Sequence, residues 1–240
     1  MPSFPATSHL AIALQDIHAD VWHAHTLAGS PVQVVATGDA LLDAQLPGRG
    51  WPVGALTEIL QPNAVHSEWR LLHSALARCG HGPVVLVGAP YVPFVPALQV
   101  QGLHVHRLLW VAAQEPAARL WAAEQALRCA EVDAVLAWLP QARSAQLRRL
   151  HIAAAEHQKL LFVMRPAHVR NEASPAGLRL YVAPCEAHAM EGDGLLVEVF
   201  KRKGPPQEHS LWLQAQSASM VVLLHASAPG SRYALGRTAA

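Results

Sequence analysis

Between Pro83 and Met164 short apolar runs alternate with helix-like segments, and that alternation confines the chain to one class of fold. Pro83–Ala89 (PVVLVGA), Arg107–Ala112 (RLLWVA), Ala134–Leu139 (AVLAWL) and Lys159–Met164 (KLLFVM) read as buried strands. Pro116–Cys129 reads as a helix with Leu120, Ala123 and Leu127 on one face, and Arg143–Gln158 as another. Buried strands separated by helices predict an α/β fold whose mainly parallel central sheet is covered by helices on both faces. Beyond Pro175 the helices stop. Leu178–Val182, Leu195–Phe200 and Ser210–Gln214 read as strands joined by turns, an antiparallel C-terminal extension of the sheet.

Upstream lies the stretch Thr37–Leu72, TGDALLDAQLPGRGWPVGALTEILQPNAVHSEWRLL. A Gly/Pro-rich turn, Leu46 to Pro52, leads into the apolar run Ala55–Leu60. A polar loop follows, then a helix from Ser67 to Arg78 ended by Gly80 and Gly82. Strand, loop, helix is the layout of a phosphate-binding loop, which needs glycines for backbone approach, a Lys for the terminal phosphates and a hydroxyl for Mg²⁺. The loop here runs Gln61-Pro62-Asn63-Ala64-Val65-His66-Ser67-Glu68, with no glycine. Ser67 stands in place of the Lys and Glu68 in place of the hydroxyl. A carboxylate there opposes a phosphate by about 1–4 kcal/mol at ~4 Å, yet it suits the positive end of a helix dipole. The loop therefore reads as a helix cap, with Ser67 as the capping residue.

The partner elements of such a site are missing too. A metal-orienting Asp should end a central strand, but the strand at Leu136 ends in Ala137-Trp138-Leu139, and Asp133 sits at its other end. After Val84–Val87, where a catalytic Glu would stand, the chain continues Gly88-Ala89-Pro90-Tyr91. No catalytic residue, no cofactor and no enzymatic activity are expected. The chain has 15 His, and His104/His106 and His151/His157 are the nearest pairs, but no Cys or carboxylate follows at ligand spacing, so no metal site is expected. Ser67 and Ser144 lack elbow glycines, and Cys129, ending an apolar helix, reads as core.

Residues 1–31 form the next question. Leu10, Leu14, Ile17, Val21 and Trp22 fall at helical spacing, with Asp16, His18, Asp20 and His23 largely elsewhere on the wheel. This N-terminal helical arm either packs on its own core or docks on another subunit. Gly29-Ser30-Pro31 breaks it, and Val32–Ala36 reads as a short strand. The core is expected over residues 32–216, and residues 217–240 form a Gly/Ser/Ala-rich tail with one apolar run, Met220–Leu224. Charged residues make up only 15% of the chain, which fits a surface partly covered by a partner. The net charge of +1 excludes a global field toward nucleic acid or membrane. Cys79, Cys129 and Cys185 have no C-x-x-C spacing, which fits a reducing cytosol. With neither a signal-peptide pattern nor an apolar run of membrane-span length, a soluble cytoplasmic protein is expected. The densest basic cluster is Lys201-Arg202-Lys203, either a solvated turn or a contact for a partner or DNA.

Residues 37–214 resemble the RecA ATPase core, and LPGRGWPVGALTEIL with the degenerate loop behind it is similar to the ImuA family of RecA/SulA-like proteins of translesion synthesis. VVLVGAPYVPFVPAL, LLWVAA, RLWAAEQALR, VLAWLP, SPAGLRLYV and GLLVEVFKRKGPP read as further blocks of that family. The resemblance implies a RecA-like core and a non-catalytic accessory role in SOS-induced mutagenesis. Its implied partners are ImuB, a catalytically dead polymerase, and ImuC, an error-prone one, with RecA as a further contact. Lys201 and Lys203 match a Lys-x-Lys pair that in RecA filaments reaches a neighbour's nucleotide. Arg165 and Arg170 lie where RecA has its second DNA loop, shorter here, and the first is reduced to Pro140-Gln141-Ala142. DNA contact is accordingly expected to be weak or indirect. The resemblance to SulA keeps a cell-division inhibitor open as an alternative, and the RecA layout keeps open an ATPase with an unconventional site.

Overall fold

A computed structural model of the chain describes residues 33–62, 67–185, 194–204 and 209–214. The helical arm with Leu10, Leu14, Ile17, Val21 and Trp22, and the tail from residue 217, lie outside the described residues. The described strands are β1 (Val34–Val35), β2 (Trp51–Pro52), β3 (Ala55–Gln61), β4 (Val84–Val87), β5 (Leu108–Val111), β6 (Ala134–Trp138), β7 (Leu160–Pro166), β8 (Leu178–Cys185), β9 (Gly194–Lys201) and β10 (Leu211–Gln214). The described helices are α1 (Ala40–Gln45), α2 (Ser67–Arg78), α3 (Val95–Val100), α4 (Pro116–Arg128) and α5 (Ser144–His157).

Eight strands form one sheet in the order β10-β9-β8-β3-β7-β6-β4-β5, and β1 pairs with β2 in a separate antiparallel ribbon. The stretch from β8 to β5 is parallel throughout. The expected antiparallel extension is present, with one correction: β8 still runs parallel to β3, and the direction reverses only at β9. The reason is the connection from β7, which passes over β3 through a 3₁₀ segment (Ala167–Asn171) and so delivers β8 in the same sense.

Side-chain alternation divides the core into two layers. Val84 and Leu86, Leu136 and Trp138, and Phe162 and Met164 face one side with α1, α2 and α3. Val85 and Val87, Val135 and Ala137, and Leu161 and Val163 face the other with α4 and α5. The inner strands have no polar face because both sides are covered; β4 and β6 are buried along their whole length. β5 closes one edge of the sheet, and its Leu109 and Trp110 are about half exposed.

Three elements were not anticipated. Helix α1 is initiated by Asp39, whose Oδ1 accepts from the backbone N–H of Leu41 (2.8 Å) and Leu42 (3.0 Å). Within the Gly/Pro turn, Trp51 and Pro52 pair with Val35 and Val34 as β2. That pairing depends on Gly50, where a Cβ would lie 2.7 Å from the Val35 carbonyl oxygen. Trp51 is fully buried and meets Phe162 edge to face at 5.4 Å. The third is α3, which begins after exposed Phe94. Among the described residues no helix is long and apolar enough to cross a membrane.

Candidate functional site

In open α/β sheets ligands settle outside the carboxyl ends of the strands, and a cavity of about 550 Å³ lies there. Each central strand contributes its last residues: Gln61 and Pro62 from β3, Gly88 to Pro90 after β4, Ala112 and Ala113 after β5, Trp138 and Pro140 from β6, and Met164 to Pro166 from β7. Among the described residues the lining contains no Asp and no Glu, and so no carboxylate to hold a divalent cation or to take a proton from water. Among the described residues no group of three His, Cys, Asp or Glu is arranged to bind a metal.

Glu68 is 3% exposed in the first turn of α2, and its Oε2 accepts from the Gln61 Nε2 at 3.1 Å. The negative charge thus sits on the positive helix end where a phosphate would need to be. Ser67 is the first residue of α2, and residues 63–66 ahead of it, where the cap would be decided, lie outside the described residues. Gly88, at φ +65°, leaves room for Arg119 to pass, since a Cβ there would lie 2.7 Å from the Arg119 Cδ. Arg119 donates to the carbonyls of Ala113 (2.9 Å) and Trp138 (3.3 Å), tying the ends of β5 and β6 together.

The residues singled out as basic contacts are split by the fold. Arg165 is 4% exposed and faces inward, which removes it from the surface. Its Nη1 donates to Glu58 Oε1 at 3.1 Å and its Nη2 to Glu172 Oε2 (2.8 Å) and the Ala142 carbonyl (2.9 Å). Glu58, fully buried in β3, also accepts from the Nε of Arg179. Arg179 in turn donates to the carbonyls of Arg170 (2.9 Å), Glu172 (3.3 Å) and Val169 (3.2 Å). Arg170 forms a two-bond pair with Glu198 and lies 4.6 Å from the centre of the Phe200 ring. Three arginines and three glutamates thereby clamp the short β7–β8 connection. That hydrogen bond holds the Glu198 carboxyl below the usual carboxylate range and raises Arg170.

Lys201, Arg202 and Lys203 lead three ways. Lys201 Nζ donates to the Ser174 carbonyl at 2.8 Å, and Arg202 Nη1 to the carbonyl of Gln45, the last residue of α1. Lys203 is exposed, and its charge, with that of Arg148, helps lower the pKa of His151, whose burial is the main cause. His151 Nδ1 accepts from the Leu56 backbone N–H at 3.0 Å, while His104 and His106 stack ring on ring at 5.4 Å. Cys129 is exposed at the end of α4, which corrects its assignment to the core; it follows the last buried turn rather than lying in it.

Sequence reasoning missed a second polar cluster, at the amino end of the sheet. Arg107, 4% exposed, donates to the carbonyls of Leu76 (3.0 Å) and Gly82 (2.8 Å) and to Asp133 Oδ2 (3.2 Å). It satisfies the C-terminus of α2 and explains why Asp133 stands at that end of β6. Burial pushes the neighbouring Cys79 thiol up, with Arg107 opposing it. Gly-His-Gly between helix and strand was the available signal, since a Cβ on Gly80 would lie 2.4 Å from Asp133 Oδ2.

No family model matches the sequence. Over 103 residues it is 30% identical to a protein named cell division inhibitor SulA from Edwardsiella piscicida. The similarity covers 43% of this chain, which spans just over half, 56%, of that relative.

Proposed function

We infer that the chain is a non-enzymatic accessory protein of the DNA-damage response, an adaptor that supports error-prone translesion synthesis beside ImuB and ImuC and contacts RecA. The observation that carries this reading is the acid-free crevice with Glu68 at the helix end behind it. A RecA-like arrangement whose phosphate site holds a carboxylate has kept a shape and given up a reaction. The similarity to SulA, itself part of the SOS response, supports the same setting, and a cytoplasmic location goes with it. Direct DNA contact would be weak, because Arg165 and Arg170 are held in ion pairs and leave Lys201 and Lys203 as the exposed lysines of the basic cluster.

Co-purification of the full chain with ImuB, ImuC and RecA tests the adaptor role. Recovery of a complex without added nucleotide is the expected result; no association with any of the three would end it. Removing residues 1–28 separates the arm from the rest, and loss of partner binding is expected. The SulA match favours a second reading, inhibition of the cell-division ring. Block of polymerisation of the division GTPase by the purified chain would establish that reading in place of the first. An ATPase with an unconventional site needs saturable ATP binding at micromolar levels, and the crevice chemistry predicts none.

A further inference from the structure

The crevice at the carboxyl ends of the strands lies beside a second cavity of about 380 Å³, and the two share Pro90 and Trp138 in their walls. Both volumes lie in the range of sites that take small ligands or side chains. One feature inside them calls for a ligand. Arg119 has only carbonyl partners, and among the described residues no carboxylate is paired with it. Its charge is therefore balanced by dipoles alone. Arg165, the other cation of the larger lobe, is already neutralised by Glu58 and Glu172.

The geometry points to a docking site for a partner's peptide segment, in which one bulky apolar side chain lies beside an Asp or Glu. The apolar side chain fills the larger lobe over Met164 and against the half-exposed Trp110. The acid pairs with Arg119. A nucleotide fits worse: its phosphates would meet one available guanidinium, no glycine loop, and the carboxylate of Glu68 in the adjoining lobe. Single-stranded nucleic acid needs a run of cations, whereas the lining of the second lobe contains one arginine, Arg70, together with the acid Glu68. The groove would take such a peptide under either functional reading given above.

The test pans a phage-displayed library of random twelve-residue peptides on the intact protein and measures synthetic winners by fluorescence anisotropy. Enriched sequences should place an aromatic or Leu within two positions of Asp or Glu. Replacing that acid by its amide should weaken binding about tenfold, as loss of a charge-assisted hydrogen bond does. Ala112→Trp, at an exposed lining position, should abolish binding without affecting the fold. In a ¹H–¹⁵N spectrum the indole signal of half-exposed Trp110, assigned with Trp110→Phe, should shift on saturation. The proposal is overturned by enrichment of no such pattern, by unchanged affinity of Ala112→Trp, or by a stationary indole signal. Displacement of the peptide by oligo(dT) or ATP at lower concentration than by unlabelled peptide would also overturn it, in favour of a nucleic-acid site.

Discussion

Glu58 shows how a single residue can be indispensable without touching a ligand. It is fully buried and supports two guanidinium groups at once, from Arg165 and Arg179. Breaking a buried ion pair from one side strands the opposite charge, so Glu58→Gln should cost about 3–5 kcal/mol. Urea unfolding of the variant is the measurement, and a midpoint equal to wild type would refute the clamp. His151 gives a pH-dependent counterpart. Its pKa is lowered from 6.5, first by burial and then by Lys203 and Arg148, and its Nδ1 must stay unprotonated to accept from Leu56. The unfolded chain therefore binds the proton more readily than the folded one. The stabilisation is complete above pH 6.5 and is lost as pH falls below it through the folded-state value. Thermal unfolding of His151→Gln should show a flatter pH dependence between pH 7 and 5 than wild type. Glu198, lowered by the bond from Arg170, acts in the same direction in the acidic carboxylate range. Its pair is more than a third exposed, so its share is small and salt-sensitive.

At the scale of elements, the β1–β2 ribbon depends on a backbone approach that only glycine permits. Gly50→Ala would drive a methyl into the Val35 carbonyl at 2.7 Å and should destabilise by about 1–3 kcal/mol. Gly177 is the matched control, since nothing lies within 4 Å of its Cβ position. Gly177→Ala should be neutral, or stabilising by up to about 1 kcal/mol, by restricting the unfolded chain. A parallel loss in both variants would show that glycine flexibility, not contact, is responsible. The capping of α2 by Arg107 belongs to the same scale: the helix ends against a buried guanidinium supplied from just ahead of β5, so helix and sheet edge are expected to unfold together.

For the whole molecule, the described residues line the crevice at the carboxyl ends of the strands without an acid and set Glu68 in the first turn of α2. Isothermal titration with Mg²⁺-ATP should therefore give no saturable heat up to millimolar nucleotide, and a micromolar dissociation constant would contradict the opposing charge at Glu68. Trp138→Phe removes a buried donor that has no partner, so it should leave stability unchanged or raise it. A loss of more than about 2 kcal/mol in that variant would mean that the indole N–H is satisfied in the folded protein.

The central strands β3 to β7, the helices α4 and α5 and the helix from Ser67 to Arg78 could be read along the chain, because each depends on local period and local residue type. What the sequence could not fix was the destination of charge. Arg165 and Arg170 look like surface cations until the β7–β8 connection folds over Glu58 and Glu198, residues 107 and 28 positions away along the chain. The parallel sense of β8, the bond from Arg107 to Asp133 and the unpartnered indole of Trp138 arise the same way. Local pattern sets which residues are apolar and where the chain turns. Only tertiary packing decides which polar groups lose water, and a polar group without water must find a partner or remain without one.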